Sequence, residues 1–492
     1  MITRRKFVAG AGTIAGGATV LTKLNAQVQM RETDKPRETT AAANRNKPLL
    51  ERIDPKPTHP PGEAGKDYTP VVTPNGRILP WKIVDGVKVY HLIAEPVPNH
   101  EFAPGLVANC WGYNGSVHGP TIEAVEGDRV RIYVTNKLPA GTSVHWHGIL
   151  LPNGMDGVAG LHQKIIQPGE TCKYEFTLRQ HGTHMYHSHH DEMTQMALGM
   201  MGLFIVHPRN PNVRPDRDFA LLLNEWKIEV GAKRPDPNEM LDFNIFTFNA
   251  KAFPGTAPLV AKLGERVRIR LANLSAMSHH PIHLHGYQFK ITETDGGQIP
   301  ESAQHVETAV LTAVGQTRTF DFVADEPGDW PLHCHMTHHV MNQMGHKIEN
   351  LIGIDTEGLN KKIRKLIPGY MVMGQDGMGD MGEMGMKNPR NSIPMVGGPG
   401  PFDYITMGGM FTVLQVREGI TNYEDPGWYQ HPPGTVAAVA SADELKRDGI
   451  NVEGAKEAAM RNKISNELWC GAPATKTALF AQNKTTARIK FH

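Results

Sequence analysis

The residues Gly-Glu-Arg-Val-Arg-Ile at 264–269 repeat an earlier stretch of this sequence, Gly-Asp-Arg-Val-Arg-Ile at 127–132. The offset between them is 264 − 127 = 137 residues. Two further matches follow in the same order, namely His-Trp-His-Gly at 145–148 with His-Leu-His-Gly at 283–286, and His-Ser-His at 187–189 with His-Cys-His at 333–335. Because a repeat indicates the number of domains better than chain length does, the sequence predicts two related domains.

Both copies contain short segments in which apolar and polar residues alternate, such as 130–134 and 267–271. Turn residues (Gly, Pro and Asn) separate these segments, which is typical of β-strands. Short strands at this spacing predict an antiparallel β-sandwich of about 130 residues in each copy. We therefore expect an all-β fold with domain 1 at about 81–208 and domain 2 at about 215–357.

The two ends of the chain differ in composition from the repeats. Residues 1–26 place two arginines before an apolar, Gly- and Ala-rich stretch, which resembles a twin-arginine export signal. Residues 27–80 are rich in Pro and charged residues and predict a linker. Residues 358–492 are rich in Met and Gly at first, and we interpret them as a C-terminal extension with weakly helical patches such as 442–448. We expect a periplasmic or secreted protein whose mature form has no membrane span.

The overall composition excludes some partners and favours metal binding. The 492 residues include 51 Lys and Arg and 50 Asp and Glu, without a long basic run, so nothing indicates nucleic acid or an anionic membrane as a partner. The 25 His and 23 Met are many potential metal ligands, whereas four Cys are too few to hold together a chain of this length.

Four His-x-His pairs lie within the repeats. They are His145 and His147, His187 and His189, His283 and His285, and His333 and His335. On a β-strand, residues i and i+2 point to the same face, so each pair directs two imidazoles to one place. Imidazole suits copper, zinc and iron, so the histidines alone do not choose the metal.

A cysteine between the two histidines of the fourth pair indicates which metal is bound. Cys334 points to the strand face opposite its two neighbours, so one strand can serve two metal sites. A cysteine with two histidines and a weak methionine ligand is the ligand set of a blue copper site. His339 and Met344 follow Cys334 at suitable spacing, and His280 supplies the second histidine.

The motifs H-P-x-H-L-H-G at 280–286 and H-C-H-x3-H-x4-M at 333–344 resemble the multicopper oxidase family, and the resemblance covers about 115–355. It implies two tandem cupredoxin-like Greek-key β-sandwiches and four copper ions per functional unit. It implies type 1 copper ligands His280, Cys334, His339 and Met344. It also implies type 2 ligands His145 and His283, and type 3 ligands His147, His187, His189, His285, His333 and His335.

The resemblance implies an enzyme that takes single electrons from a reduced donor and reduces dioxygen to water. A phenol-like donor is expected, as for laccases, and the alternative is oxidation of Cu(I) or another metal ion in copper tolerance. A nitrite reductase would not need a type 3 pair. A non-catalytic copper-binding protein would explain the many His and Met, but not Cys334 between two cluster histidines.

The repeat also predicts how the two domains differ. Projecting the type 1 positions onto domain 1 gives four residues that are not the type 1 ligands, Thr142, Ser188, Met193 and Leu198. Domain 1 is therefore expected to hold cluster ligands only. His189 and His280 are 280 − 189 = 91 residues apart, which leaves no room for a third sandwich. The chain resembles two-domain laccases, and the resemblance implies a homotrimer with the cluster between subunits.

Three features have two interpretations each. Asp156 matches the family's proton-relaying acid near the type 2 copper, but an Asp before Gly is also an ordinary turn residue. The Met-rich segment 371–386 either binds Cu(I) or packs as an adaptable loop. Cys110 and Cys172 either pair in an oxidising compartment or stay free, and Cys470 lies in the tail.

Overall fold

The fold was analysed in a computed structural model, which describes residues 49–229, 231–340, 361–363, 365–367 and 397–452. The predicted export signal, Met344, the Met-rich segment 371–386 and Cys470 lie outside the described residues.

Most of the regular secondary structure in the described residues is β-strand. The first ten are β1 Val71–Val72, β2 Trp81–Val84, β3 Val87–Ala103, β4 Leu106–Tyr113, β5 Ile122–Val125, β6 Arg129–Asn136, β7 Val144–His145, β8 Thr171–Thr177, β9 Gly182–Ser188 and β10 Met201–His207. The next eleven are β11 Arg217–Trp226, β12 Ile245–Phe248, β13 Leu259–Lys262, β14 Arg266–Asn273, β15 His280–Leu284, β16 Phe289–Thr294, β17 Gly297–Gln298, β18 Val306–Glu307, β19 Ala309–Thr312, β20 Thr317–Val323 and β21 Gly328–Cys334. The last three are β22 Pro399–Gly400, β23 Asp403–Tyr404 and β24 Phe411–Arg417.

In the part of the chain that the structure describes, helices are short. They include α1 Leu49–Ile53, α2 Glu192–Ala197 and α3 Ala442–Arg447. Single turns of 3-10 helix lie at Asn153–Met155, Glu301–Ala303 and Thr337–Val340. Within the described residues, no helix is long and apolar enough to cross a membrane.

Domain 1 consists of two sheets that face each other. One has the strand order β2-β3-β6-β8 with β4 paired to β3, and the other has the order β5-β10-β9-β7. Their inward-facing side chains share one core, which includes Tyr90 and Ile132 from the first sheet and Tyr186 and Phe204 from the second. Alternation of apolar and polar residues along β6 puts its apolar half into this core. The core thus holds the two sheets together as a sandwich.

Domain 2 repeats this arrangement. Its sheets have the orders β1-β11-β14-β20-β16-β17 and β13-β24-β21-β15-β19. In both domains the first sheet contains a parallel pair followed by an antiparallel one, β3-β6-β8 and β11-β14-β20. In both domains the second sheet has the same sequence of pairings, β5-β10-β9-β7 and β13-β24-β21-β15. The sequence repeat is therefore a repeat of topology, and the sheets are mixed rather than purely antiparallel as predicted.

Strand β24 comes from the part of the chain that the sequence assigns to an extension. It lies between β13 and β21 in domain 2, with Leu259 opposite Leu414 and His333 opposite Phe411. The sheet of domain 2 therefore includes residues well beyond the predicted boundary at 357. A long Met- and Gly-rich stretch separates this strand from the motif residues, so sequence pattern alone does not connect them.

The chain divides into two units at Tyr429, and the described residues 430–452 belong to the second unit. In its described part, Ser441 and Glu444 form a capping box at the start of α3, in the patch predicted to be helical. Cys110 and Cys172 are free thiols, so the disulfide alternative is not realised.

Arg270 is a fully buried cation where the two domains meet. Its guanidinium donates two hydrogen bonds to Asp218, at 2.8 and 2.9 Å, and one to Glu293 at 3.1 Å. A further hydrogen bond of 3.0 Å reaches Thr183 in β9 of domain 1. The Arg270→Ala variant leaves two buried carboxylates without their cation, so we expect the free energy of unfolding to fall by about 3–5 kcal/mol, measured by chemical denaturation.

Arg318→Ala is the control for this prediction. Arg318 pairs with Asp295 at 3.0 Å, but both side chains are partly exposed to solvent. Its loss should cost less than about 1 kcal/mol. Equal costs for the two variants would contradict the structural role of Arg270.

Candidate metal centres

Three buried side chains come together in domain 2, namely those of His280, Cys334 and His339. We call this group the thiol site. The Nδ1 atoms of His280 and His339 lie 3.6 and 3.4 Å from the Cys334 Sγ and 3.1 Å from each other. Strand pairing explains the arrangement, because Ile282 in β15 lies opposite Cys334 in β21. Three of the four predicted type 1 ligands therefore converge.

Burial determines the protonation state of these three side chains in the absence of a metal ion. It lowers the pKa of His280 to about 3 and that of His339 to about 4, so both imidazoles are neutral and able to bind a cation. Burial raises the pKa of the Cys334 thiol to about 12, so the thiolate forms only when a cation replaces its proton. A thiolate with two imidazoles is a donor set that fits copper.

Ser275 is a positioning residue that the sequence analysis did not identify. Its Oγ lies 2.8 Å from Nε2 of His280, and both residues are buried. This contact occupies Nε2 and turns Nδ1 of the same ring towards Cys334. No sequence motif marks Ser275, because the contact depends on the turn between β14 and β15.

The surroundings of His339 include an aromatic ring and a buried acid. Phe246 stacks on the His339 ring at a centroid distance of 4.0 Å and an angle of 15°. Its strand neighbour Glu225 is buried, and its Oε1 accepts hydrogen bonds from the backbone N–H groups of Met277 and Ser278. The Glu225 Oε2 atom has no hydrogen-bond partner. Sequence periodicity does not reveal that Phe246 and Glu225 lie near His339, because these residues come from separate strands and turns.

Domain 1 brings together the imidazoles of its two His-x-His pairs. In five of the six pairs formed by His145, His147, His187 and His189, the ring centroids lie 5.3 to 6.0 Å apart. One ligand nitrogen from each of the first three lies within 4.8 Å of the others.

Domain 2 forms a corresponding set. In five of the six pairs formed by His283, His285, His333 and His335, the ring centroids lie 4.7 to 5.7 Å apart. The Nε2 atoms of His285 and His333 lie 3.0 Å from each other. Each domain therefore assembles four of the eight predicted cluster imidazoles.

Backbone carbonyl groups orient four of these rings in the same way. The Nδ1 contacts are His145 to Asp156 O at 2.8 Å, His187 to Ser188 O at 2.9 Å, His283 to Thr308 O at 2.6 Å and His333 to Cys334 O at 2.8 Å. An imidazole that donates from Nδ1 keeps its lone pair on Nε2, where it can bind a metal. Burial lowers the pKa of His187 to about 3 and that of His333 to about 4, so these rings are neutral.

Asp156 lies beside His145, as predicted. Besides its carbonyl contact, its carboxylate Oδ2 lies 3.4 Å from His145 Nδ1 and 3.1 Å from His162 Nδ1. The turn is close to β7, because a Cβ on Gly157 would lie 1.7 Å from the Val144 carbonyl oxygen. Asp156 is thus both a turn residue and a neighbour of a predicted type 2 ligand.

The two imidazole sets do not meet within one chain. Among the described residues, no ring contact links a histidine of the domain 1 set to one of the domain 2 set. His147 instead directs Nε2 at the carbonyl oxygen of Gly315 in domain 2, at 3.0 Å. His335 is exposed and His189 is partly exposed. Each chain thus carries two separate imidazole sets, and each set includes rings that are at least partly exposed to solvent.

Gln195 occupies the place in domain 1 that corresponds to the thiol site. Its Oε1 accepts hydrogen bonds from Thr142 at 2.7 Å and from Ser188 at 2.5 Å, and all three residues are fully buried. Met193, which the sequence projection placed here, is exposed. The projection is wrong at this position because α2 turns Met193 outward and Gln195 inward. The uncharged amide of Gln195 fills the position that the thiol site has in domain 2. This agrees with the expectation that domain 1 has cluster ligands only.

The tandem β-sandwiches, the buried thiol site and the two imidazole sets define a copper protein of the cupredoxin class. Sequence profiles described as multicopper oxidase match residues 98–211 and 229–352. The chain belongs to the multicopper oxidase family and has two cupredoxin domains.

Individual relatives agree with this assignment. The chain is 28% identical to copper resistance protein A of Escherichia coli over 322 residues, which are 55% of this chain and 51% of that protein. It is 30% identical to laccase-19 of Oryza sativa subsp. japonica over 45% of this chain and 40% of that protein. The chain thus spans about half the length of these relatives, or less. The solved multicopper oxidase mgLAC is 25% identical with a TM-score of 0.50, over 69% of this chain and 90% of that one.

Proposed function

We propose that this protein is a copper-dependent oxidase that couples one-electron oxidation of a phenol-like donor to reduction of dioxygen to water. The supporting observation is the position of Cys334, whose Sγ belongs to the buried thiol site. Its carbonyl oxygen holds Nδ1 of His333 at 2.8 Å, and its other chain neighbour is His335. One residue therefore connects the thiol site to an imidazole set through covalent bonds.

Copper, when bound, supplies one-electron transfer at the thiol site and oxygen reduction at the imidazole sets. About four ions per functional unit fit the donors present. His280, Cys334 and His339 would hold the type 1 ion. The type 2 ligands would be His145 and His283, and the type 3 ligands His147, His187, His189, His285, His333 and His335.

The chain's own side chains determine how a donor reaches this centre. Phe246 covers one face of His339 and is itself partly exposed. An aromatic donor can stack beside it, because aromatic rings attract one another in offset or edge-to-face contact. This surface excludes water from the imidazole and supports a phenol-like donor.

Asp156 is proposed to carry protons to the reducing cluster, in which His145 is a type 2 ligand. Asp156→Asn keeps the backbone carbonyl that orients His145 but removes the ionisable group. We expect reoxidation of the reduced enzyme by oxygen to slow by about 10- to 100-fold, with an unchanged blue absorption band. Stopped-flow absorption measures both quantities. Asp295→Asn is the control, and equal rates for Asp156→Asn and wild type would contradict the proton role.

The protein is proposed to assemble as a homotrimer. We call the imidazole set of each domain a half-site, and a cluster with eight imidazoles needs one half-site from each of two copies. Head-to-tail contacts of this type close a ring if the rotation between copies allows it. Residues 1–26 are proposed to direct export to the periplasm or the medium by the twin-arginine route.

Oxidation of Cu(I) is the second candidate, and two exposed thioethers favour it. Met277 is 54% exposed and lies three residues before His280, and Met336 is 43% exposed and lies two residues after Cys334. The unpartnered Oε2 of Glu225 adds a buried carboxylate near Met277. Thioether sulfur is a soft donor suited to Cu(I), and a carboxylate adds a negative charge that attracts the cation.

Substitution of these thioethers separates the two candidates. If Cu(I) is the donor, the double variant Met277→Leu, Met336→Leu should lower Cu(I)-driven oxygen uptake by about tenfold, on the order of 1.4 kcal/mol. Phenol-driven uptake should change little. Met193→Leu is the matched control, since this methionine is 60% exposed in domain 1. Equal Cu(I) rates in all three proteins would argue against the second candidate.

The proposed function is tested on the copper-loaded mature protein. Bound copper, the absorption spectrum and oxygen uptake with a phenol and with Cu(I) are measured. About four coppers per chain, a blue band and faster uptake with the phenol are expected. Faster uptake with Cu(I) would support the second candidate. Weakly bound copper without a blue band or oxygen uptake would exclude both and leave a copper-binding protein.

A further inference from the structure

A pocket of about 230 Å³ lies beside strand β24 of domain 2. Val413 and Gln415 line it, whereas Leu414 and Val416 of the same strand belong to the domain core. Neighbouring residues of a strand point to opposite faces, so the pocket lies on the sheet face that points away from the core. The described residues that line it include no member of the thiol site or of either imidazole set. The pocket is therefore separate from the candidate metal centres.

The pocket is formed by four separate segments of the chain, namely 253–258, 398–399, 412–415 and 425–428. The first segment is held against β24 by two side-chain hydrogen bonds. Thr256 Oγ1 donates to the carbonyl oxygen of Phe411 at 2.8 Å. Thr412 Oγ1 donates to that of Ala257, also at 2.8 Å. These contacts fix one wall without a ligand, as in the largely pre-formed pockets that bind small molecules.

Trp428 lines the pocket at its mouth, and the chain on both sides of this residue is anchored to the sheet. The carbonyl oxygen of Gly427 accepts a hydrogen bond from the Arg417 guanidinium at 2.6 Å. The backbone N–H of Tyr429 donates to Asp329 Oδ2 at 2.7 Å. The Trp428 side chain, which is 36% exposed, is therefore carried by a segment that two hydrogen bonds hold in place.

The lining is mainly apolar and includes two aromatic rings. Apolar side chains come from Phe253, Pro254, Pro258, Pro399 and Trp428. Aromatic rings attract one another in offset or edge-to-face contact, so these walls favour a flat ring. An apolar cavity of about 150 Å³ in an engineered protein holds benzene. A volume of about 230 Å³ therefore admits one ring with a short substituent.

Gln415 supplies a hydrogen-bond acceptor without a partner. The residue is only 4% exposed, and its Nε2 donates to the carbonyl oxygen of Gly427 at 3.4 Å. Its Oε1 has no hydrogen-bond partner among the described residues. A buried acceptor without a partner is costly in free energy, and a ligand that donates a hydrogen bond removes this cost. The pocket therefore favours a ring that carries a donor over one that is purely apolar.

Charge limits the class of ligand further. Asp425 lines the pocket and is exposed, and no Lys, Arg or His is among the described residues that line it. A carboxylate on the ligand would meet a like charge without a cation to offset it. An ammonium group would lose more hydration free energy than a hydroxyl among apolar walls. The lining thus favours an uncharged hydroxyl as the donor.

We propose that this pocket binds a small aromatic alcohol, an uncharged single ring whose hydroxyl group donates to Gln415 Oε1 and whose face rests against Trp428. The inference goes beyond the proposed function, because binding here requires neither bound copper nor electron transfer. Phe253 contacts Phe411 at a centroid distance of 4.7 Å, and Phe411 lies against His333 at 6.4 Å. Two aromatic rings thus separate the pocket from His333.

Benzyl alcohol and ethylbenzene are the probes for this site, because they have the same size and ring but only benzyl alcohol donates a hydrogen bond. Their dissociation constants are measured by ligand-observed NMR on the full-length, copper-loaded protein. Gln415→Met keeps the length of the side chain but removes the acceptor. We expect it to weaken the binding of benzyl alcohol by about tenfold and not to weaken that of ethylbenzene. Trp428→Ala removes a wall, so both probes should bind about tenfold more weakly.

Gln167→Met, at an exposed glutamine of domain 1, is the matched control and should change neither constant. Each variant is also made together with Phe246→Ala, so that a probe bound beside His339 does not mask the effect. Retained binding of ethylbenzene in Gln415→Met would show that the pocket is intact and that only the hydrogen bond is lost.

Three results would overturn the proposal. They are no binding of benzyl alcohol to the wild type, binding that Gln415→Met and Trp428→Ala leave unchanged, and equal weakening of both probes in Gln415→Met. None of these measurements depends on the blue absorption band or on oxygen uptake. The proposed function is therefore supported or contradicted separately.

Discussion

Serine in place of Cys334 is expected to abolish the blue absorption band and to lower donor-driven oxygen uptake by at least about a thousandfold, on the order of 4 kcal/mol in activation free energy. A hydroxyl is a weaker ligand for copper than a soft thiolate, and the covalent connection from Sγ to the imidazole set begins at this atom. Domain 1 shows what the fold does with serine here, since Ser188 hydrogen-bonds Gln195. Absorption spectroscopy and oxygen uptake measure the effect.

Cys110→Ser and Cys172→Ser are the controls for this prediction. Both cysteines are free, and Cys110 is as fully buried as Cys334. Burial raises the pKa of the Cys110 thiol, which lies among apolar side chains outside the metal centres. Both variants should therefore keep the blue band, although Cys110→Ser places a hydroxyl in an apolar core. An intact blue band in Cys334→Ser would remove the basis of the proposed copper site.

Two inactive variants are expected to restore activity when they are assembled together. His187→Ala breaks the half-site of domain 1, and His333→Ala breaks that of domain 2. Each variant alone should reduce no oxygen, because every cluster in its ring lacks a ligand. Rings assembled from an equal mixture should recover about a quarter of wild-type oxygen uptake, since about one junction in four joins two intact half-sites.

The comparison depends on subunit exchange, so the mixture is unfolded and refolded together, and the variants refolded separately are combined as the control. Sedimentation gives the oligomeric state of each sample. Recovery only after joint refolding would establish a cluster between copies. Permanent inactivity of well-assembled mixed trimers, with full activity in wild type, would mean that each cluster forms within one chain.

Much of the site follows from local sequence pattern. Alternation along a strand put both members of each His-x-His pair on one face, and the structure groups them as expected in each domain. The same rule put Cys334 on the face opposite His333, where it meets His280 and His339. These predictions hold because they depend on residues within one strand or one turn.

Other features depend on contacts between residues far apart in the chain. Strand β24 pairs with β21 after a connection whose composition resembles neither strand nor helix. In domain 1, Gln195 rather than Met193 fills the position that corresponds to the thiol site. Both residues lie on helix α2, which directs Gln195 inward and Met193 towards solvent.

The sequence by itself predicted the number of domains, the β-strand pattern and which histidines and cysteine are candidate metal ligands. Periodicity and repeats are properties of the sequence itself, so they can be recognised without knowing how the chain folds. Only the tertiary structure decided that the two imidazole sets stay apart in one chain, and that a distant strand completes domain 2. Strand pairing depends on backbone hydrogen bonds between remote segments, and such bonds place few constraints on residue type.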